Sequence, residues 1–165
     1  MSSQVSLIPT ASEDLDIILA IETSPQNAPY IGQWERKQHE SAIFNAYIAH
    51  LKVVLDRKII GYVILIGIDN RDRSIQLKRI VVEQKGYGFG RETIRLVKEI
   101  VFNKFQAHRL WLDVMVHNTR AYNLYLSEGF VEEGILRENL KQGENFIDLR
   151  VMSILESEYR LSKTN

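Results

Sequence analysis

VVEQKGYGFGRETIRLVKEIVF, residues 81–102, is the stretch whose reading decides the fold. An apolar run ends at Val82, and Gly86, Gly88 and Gly90 then stand at every second position. From Arg91 onward, Ile94, Val97, Val101 and Phe105 recur at helical spacing. A strand therefore becomes a helix across a nearly bare backbone. The first N–H groups of a helix lack intrahelical partners, and the macrodipole makes that end positive. Glycines remove the side chains that would hold a ligand away. Such a turn suits a phosphate, with Lys85 and Arg91 adding charge beside it. A tight turn without a ligand would use glycine too. Two familiar cradles do not fit. The pattern GxxxxGK(S/T) is absent, and GxGxxG fails because its last glycine would fall on Arg91 or Thr93.

Working outward, residues 74–82 read as a strand, 91–105 as an amphipathic helix and 110–116 as a further strand. A crossover of that length implies a parallel pair. Residues 5–8 alternate like a short first strand, and Ser12 is placed to cap a helix through residue 21, with Glu13, Asp14 and Asp16 in its first turn. TSPQNAPY is a loop by its prolines and asparagine, and 34–46 reads as a second helix. Two β-rich runs, 47–55 and 59–68, suggest a hairpin. A short helix over 120–128 stops at Gly129, and 131–136 and 146–155 form a closing strand pair around KQGEN. The order β-α-α-β-β-β-α-β-α-β-β predicts an α/β (α+β) fold. Its sheet is mixed and mostly antiparallel, with helices on both faces and one parallel strand pair.

Length and composition narrow the function. A chain of 165 residues suggests a single domain over 1–165. A formal net charge of zero lacks the basic footprint of a general nucleic-acid binder. Without cysteine there are no disulfides and no thiolate metal sites, and the histidines show no metal-ligand spacing. His108 and His117 read as surface or strand-end residues. No apolar stretch approaches the roughly 20 residues of a membrane span. The opening MSSQVSLIPT lacks the basic region and apolar core of a signal peptide. The expectation is a cytoplasmic protein with no metal, no membrane and no nucleic-acid partner.

A second segment, HRLWLDVMVHNTRAYNLYLSEGF (108–130), ends a strand at Asn118 and sets a short helix carrying Tyr125 before Gly129-Phe130. Together with the glycine turn it resembles the GNAT superfamily of N-acetyltransferases. The superfamily signature is a Gln/Arg-x-x-Gly-x-Gly/Ala turn opening a helix, then a strand, an Asn and AxxLYxxxGF. Lys85-Gly86-Tyr87-Gly88-Phe89-Gly90 matches the turn with Lys in the Gln/Arg place, and Ala121 through Phe130 matches the second motif in full. The likeness covers about residues 74–155, and 1–73 fit in element order only. EGILRENLKQGENFIDLRVMSIL (133–155) resembles the branch that acetylates ribosomal-protein N-termini.

The resemblance implies acetyl-CoA as cosubstrate, held in a slot where strands 74–82 and 110–116 splay apart. Backbone amides of Gly86, Tyr87, Gly88, Phe89, Gly90 and Arg91, with Lys85, would hold the pyrophosphate. Ile80, Val81 and Val82 would present strand backbone to the pantetheine arm, and Asn118 would hydrogen-bond it. Tyr125 would be the general acid for the departing thiolate. The chain departs from the pattern in two places. The turn from Val82 to Lys85 is short and lacks the usual proline. Gln76 stands where some members carry a glutamate base; a glutamine cannot serve, and Asp113 is the nearest candidate.

Taken alone, these residues have other readings. Tyr125 lies three residues after Tyr122, so one helical face can bury both rings. Asp113 alternates with Trp111 and Met115 and can be a structural carboxylate. Asn118 can cap the next helix as well as touch a cofactor. Lys78 and Arg79 are unusual inside a central strand, and one of them is expected to reach the cofactor or a carboxylate. For the chemistry, a phenol near pKa 10 matches a thiol near 8.5, and direct attack needs a neutral amine. Deprotonating a lysine-like amine costs about 4 kcal/mol at neutral pH, and a protein N-terminus about 1 kcal/mol. The expected acceptor is a protein or peptide N-terminus or a small-molecule primary amine, and the expected assembly is a monomer or homodimer. The alternative from another class is a non-catalytic acyl-CoA-binding sensor, which would dispense with Tyr125. A nucleotide-binding protein is a third reading.

Overall fold

The computed structural model describes residues 4–164; the first three residues of MSSQVSLIPT and Asn165 lie outside the described residues. In chain order the elements are β1 (Ser6–Pro9), α1 (Leu15–Thr23), α2 (Arg36–Ile43), β2 (Ile48–Leu55), β3 (Lys58–Ile66), β4 (Ser74–Val82), α3 (Phe89–Glu99), β5 (Arg109–Met115), α4 (Thr119–Ser127), β6 (Val131–Gln142), β7 (Asn145–Leu155) and α5 (Glu156–Lys163). Among the described residues seven strands make one sheet in the order β1-β2-β3-β4-β5-β7-β6. Every neighbouring pair is antiparallel except β4–β5, which is the expected crossover. The β2–β3 hairpin turns through Asp56 and Arg57, with φ of 48° and 67°, the positive pair a two-residue type I′ connection requires.

Alternation along β3 builds two cores. Val63 and Leu65 face α3, where they join Ile94, Val97 and Phe102. Tyr62 and Ile64 face α1, against Leu15 and Ile18. On β4 the alternation breaks. Leu77 pairs with Leu65 and Arg79 with Ile64, so Lys78 is an extra, unmatched residue, a β-bulge. One inserted residue exchanges the faces of all that follow. Ile75 and Leu77 therefore belong to the α3 core, whereas Val81 belongs to the α1 core and Arg79 points to the same side. The parallel pairing with β5 also stops here: Ser74, Ile75 and Gln76 pair with Arg109, Leu110 and Trp111 and no further pair follows.

Several boundaries differ from expectation. Ser12 does not cap α1; it lies in a 3₁₀ turn, Ser12–Asp14, and Asp14 Oδ2 accepts from the Ala11 amide at 2.8 Å. The helix expected over 91–105 begins at Phe89 and passes at Ile100–Lys104 into a π-helical turn. β6 runs to Gln142, beyond the expected 136, as a two-stranded ribbon with β7 that exposes both faces. α5 was not expected; it docks Tyr159 on Phe102, ring centroids 4.9 Å apart.

The α1 core encloses a polar cluster. Glu22, fully buried, accepts from Tyr62 Oη at 2.7 Å, Arg79 Nη1 at 2.6 Å and His39 Nε2 at 3.2 Å. Of the two strand cations, Arg79 is the one that reaches a carboxylate. The cluster extends outward as a row: His39 Nδ1 lies 2.9 Å from His50 Nε2, and His50 Nδ1 lies 2.8 Å from Thr10 Oγ1. With His50 neutral the row can run in either direction: His50 accepts from Thr10 and donates to His39, or accepts from His39 and donates to Thr10.

Burial, reinforced by the positive field of His39 and opposed by Glu22, pushes the His50 pKa down to about 4. The folded value lies below the ordinary one near 6.5, so the unfolded chain takes up the proton first. The associated stability is present above about pH 6.5 and is lost as pH falls toward 4. We expect chemical denaturation to show a loss of about 2 kcal/mol between pH 7 and 5, above the carboxylate range. His50→Gln should flatten that slope; an unchanged slope would show that His50 does not carry it.

Candidate active site

Past Gln76 and Trp111 the two parallel strands part, and a cavity of about 810 Å³ opens between their C-terminal ends. Ligand clefts typically span roughly 300–1,000 Å³. The cavity brings together most of the residues singled out from sequence: Ile80, Val81, Val82, Lys85, Gly86, Gly88, Phe89, Gly90, Arg91, Asn118 and Tyr125. Tyr87 and Asp113 are not among its lining residues. Tyr87 is 76% exposed and stacks on Phe89 at 6.0 Å, outside the cavity. Asp113 is half-buried on β5, close enough to Tyr125 to act on its ionisation.

The glycine turn has the shape of a cradle. Gly86 and Gly88 hold φ of 94° and 84°, in the left-handed region, and a Cβ added to either would meet nothing within 4 Å. Open space there is what a ligand would fill. Gly88 is the N-cap of α3 and has no side chain to cap it; the first return bond is Glu92 N–H to Gly88 O at 3.1 Å. The amides of Phe89, Gly90 and Arg91 are therefore left for a ligand. Gly90 is different: a Cβ there would sit 3.7 Å from Leu124 Cδ2, an ordinary contact. Lys85, Arg91 and Arg120 line the same region, against the single carboxylate of Glu83 among the cavity residues. Bare amides and an excess of cations suit a diphosphate such as that of acetyl-CoA.

At the inner end, Tyr125 is 6% exposed and packs 5.6 Å from Phe130. Among the described residues its hydroxyl has no hydrogen-bond partner, yet no partnerless side-chain oxygen is sealed from solvent, so it opens toward the slot. Burial, and then the negative charge of Asp113, push its pKa up. Burial raises Asp113 in turn, with Lys78 opposing. Tyr122 does not share this pocket. Its hydroxyl donates to Glu132 Oε2 at 3.0 Å, and the Arg150 guanidinium lies 4.8 Å over its ring. Asn118 caps α4, its Oδ1 accepting from Ala121 N–H at 3.3 Å. The cap uses only the oxygen, so the side-chain NH₂ remains available on the cavity side.

Sequence reasoning missed one whole wall. Gln26, Asn27, Tyr30 and Ile31, from the segment after α1, line the cavity as well. Pro29 O accepts from His117 Nε2 at 3.0 Å and from Gln142 Nε2 at 3.2 Å, and the Tyr30 ring lies 5.8 Å from that of His117. His117 is thus a cavity residue as well as a strand-end one. A backbone carbonyl makes these contacts, so no side-chain pattern announces them. Among the described residues no cluster of three or more His, Asp or Glu could hold a metal ion, and no helix is long and apolar enough to cross a membrane.

Residues 15–130 match the acetyltransferase (GNAT) family. The spermidine N(1)-acetyltransferase of Vibrio cholerae serotype O1 is 31% identical over 171 residues, spanning 96% of this chain and 97% of that protein. The N-alpha-acetyltransferase of Sulfurisphaera tokodaii is 29% identical over 146 residues, 80% of this chain and 83% of that one. The crystal structure of the V. cholerae spermidine N-acetyltransferase with CoA and spermine superposes with a TM-score of 0.85 at 28% identity, covering 95% of this chain and 98% of that one. These likenesses support the superfamily and do not support the ribosomal-protein branch that 133–155 resembles.

Gly88→Val would force a branched side chain into a left-handed conformation and project it into the cradle. Calorimetry should show CoA binding weakened more than about tenfold in a variant that still folds; unchanged affinity would remove the turn from the site. With the family match over most of its length and a full-length relative of known activity, the chain belongs to the acetyltransferase (GNAT) family and is an acetyl-CoA-dependent N-acetyltransferase.

Proposed function

We propose that this enzyme, a single N-acetyltransferase domain, acetylates a primary amine of a small polyamine, with Tyr125 as general acid. The observation that carries the proposal is the end-to-end likeness to an enzyme acting on spermidine, in sequence and in fold. A second reading, a protein or peptide N-terminus, is favoured by the archaeal N-alpha-acetyltransferase relative and by the easier deprotonation of an α-amine.

The thioester supplies an activated acetyl group, and this chain's residues place and protonate. The cradle at 85–91 and Asn118 fix the cosubstrate, leaving its carbonyl beside the unpaired edge of β4 at Ile80–Val82. N–H groups there polarise the carbonyl as the amine nitrogen attacks its carbon. Tyr125 gives its proton to the sulfur as the C–S bond breaks. The proton shed by the amine returns through water to the Tyr125 oxygen. Asp113 lies outside the cavity wall, so its part is electrostatic: its charge opposes ionisation of Tyr125 and keeps the acid loaded. Removal of the amine proton falls to water, since Gln76 has no basic oxygen.

Tyr125→Phe keeps the ring and its packing. Its transfer rate should fall about 10²-fold or more with CoA affinity within about twofold of wild type. Because the phenol pKa is raised, wild type should show no high-pH limb from this group below about pH 10. Full turnover by the variant would exclude the acid role. CoA release measured side by side with spermidine, spermine and N-terminal peptides decides the acceptor: the polyamines should exceed the peptides about tenfold or more in kcat/KM. The reverse order would establish the second reading.

A further inference from the structure

The buried Glu22–Arg79 pair is not needed to hold the cosubstrate, and neither residue lines the cavity. Two almost fully buried charges are an expensive way to fill a core, and such pairs often serve to fix an arrangement. What this pair touches shows what it fixes. Besides Tyr62 and His39, Glu22 accepts from the backbone N–H of Trp34, 3.1 Å from Oε2. Glu22 precedes the segment 24–33 and Trp34 follows it, so the carboxylate ties the two ends of that loop together. The Arg79 guanidinium lies 5.2 Å over the Trp34 ring. Gly32 packs so closely on it that a Cβ there would come within 2.9 Å of Arg79 Nη2. Asn27, itself buried, adds a bond to the end of α1, its Nδ2 donating to Ile21 O at 2.9 Å. The same loop supplies Tyr30 and Ile31 to the cavity wall, beside His117.

We infer that Glu22 and Arg79 are positioning residues for the amine acceptor: they set the root of the 24–33 loop, and through it the wall against which the acceptor is held. The inference rests on the acyl-transfer reading above and adds to it the residues that shape the acceptor side. It follows from the bulge at Lys78: in a regular strand Lys78 would pair with Ile64, and Arg79 would fall on the α3 face with Leu77, unable to reach Glu22 or the loop.

Three variants separate positioning from plain stability. Glu22→Gln removes the charge and keeps the size. Gly32→Ala leaves the ion pair intact and pushes the loop off Arg79; its backbone conformation accepts a side chain, and the guanidinium, pinned by Glu22 and Trp34, has little room to yield. Tyr62→Phe removes a bond to Glu22 without touching the loop. Measured on the full chain with spermidine and an N-terminal peptide in parallel, Glu22→Gln and Gly32→Ala should raise acceptor KM about tenfold. In both, kcat should stay within about threefold and CoA affinity within about twofold of wild type. Amide exchange over 25–33 should accelerate about tenfold in the same two variants. Tyr62→Phe should lower stability and leave acceptor KM at the wild-type value. Wild-type KM and wild-type loop exchange in both loop variants would overturn the inference, as would a Tyr62→Phe shift in KM as large as theirs. If wild type turned over neither probe, the acceptor reading would fall, and the exchange rates would still decide this one.

Discussion

Everything in this molecule depends on β4 being unable to stay paired with β5. Backbone N–H and C=O groups demand partners, and a strand that leaves its neighbour surrenders them along that edge. Here the separation follows three matched residues, ending at Gln76 and Trp111. Lys78 is inserted immediately beyond. The bulge kinks β4 and reverses its faces, so the strand keeps its bonds to β3 while its other edge lies open. A cleft lined by unspent backbone groups, at the C-terminal end of parallel strands, suits a long, thin, amide-bearing arm. The same geometry points the following turn and the start of α3 at the mouth of the cleft, where an anion is favoured.

A slot between separated strands has to be held open, and a buried glutamate stands on each side of it. Glu22 locks the α1 side through Arg79 and the Trp34 amide. On the α3 side, Glu128 has a side chain only 4% exposed and takes Arg91 Nη1 at 2.7 Å and Arg95 Nε at 3.0 Å, while Lys98 donates to its backbone carbonyl at 2.8 Å. Glu128 ends α4, and Arg91, Arg95 and Lys98 lie along α3. The cluster therefore fixes the angle between the helix that carries the cradle and the helix that carries Tyr125. Neither cluster need add much net stability, because desolvation offsets most of the attraction. Each is directional and leaves no buried polar side-chain atom unpartnered among the described residues, which a purely apolar contact does not guarantee.

The parts legible in the sequence are those where one local rule acts without competition. β4, with one helix-covered face on either side, was placed to the residue, and the glycine turn could be read because positive φ favours glycine at 86 and 88. The β6–β7 ribbon was read short because neither face is covered, so no alternation marks its outer half. α5 was missed because it anchors chiefly through Tyr159, with Leu161 left exposed. In the site, Tyr125 and Asn118 lie in a local pattern. The loop wall does not: it is assembled from residues 22, 34, 79, 117 and 142, joined by a buried carboxylate and one proline carbonyl. The oddity of Arg79 inside a strand was visible, and a charge that must be buried needs a partner. Glu22, directly after the apolar run 17–21 of α1, was the missing half of that signal.

The raised pKa of Tyr125 looks at first like a handicap for the proposed acid role. A donor works best when its pKa lies near that of the group it protonates, and burial moves this phenol away from the solution value of a thiol. The same desolvation acts on both. Phenol and thiol are neutral acids with anionic conjugate bases, and a slot closed around both raises the two together. The shifts of donor and acceptor therefore run in the same direction. Asp113 adds the asymmetry. In the proposed mechanism its charge, which opposes ionisation of Tyr125, would hold the proton on oxygen until the departing sulfur carries enough negative charge to take it. Selectivity for the sulfur then rests on position rather than on acid strength, because a free primary amine near pKa 10.4 is a stronger base than a thiolate near 8.5, and only a donor held against the sulfur and away from the attacking nitrogen delivers its proton to the right atom.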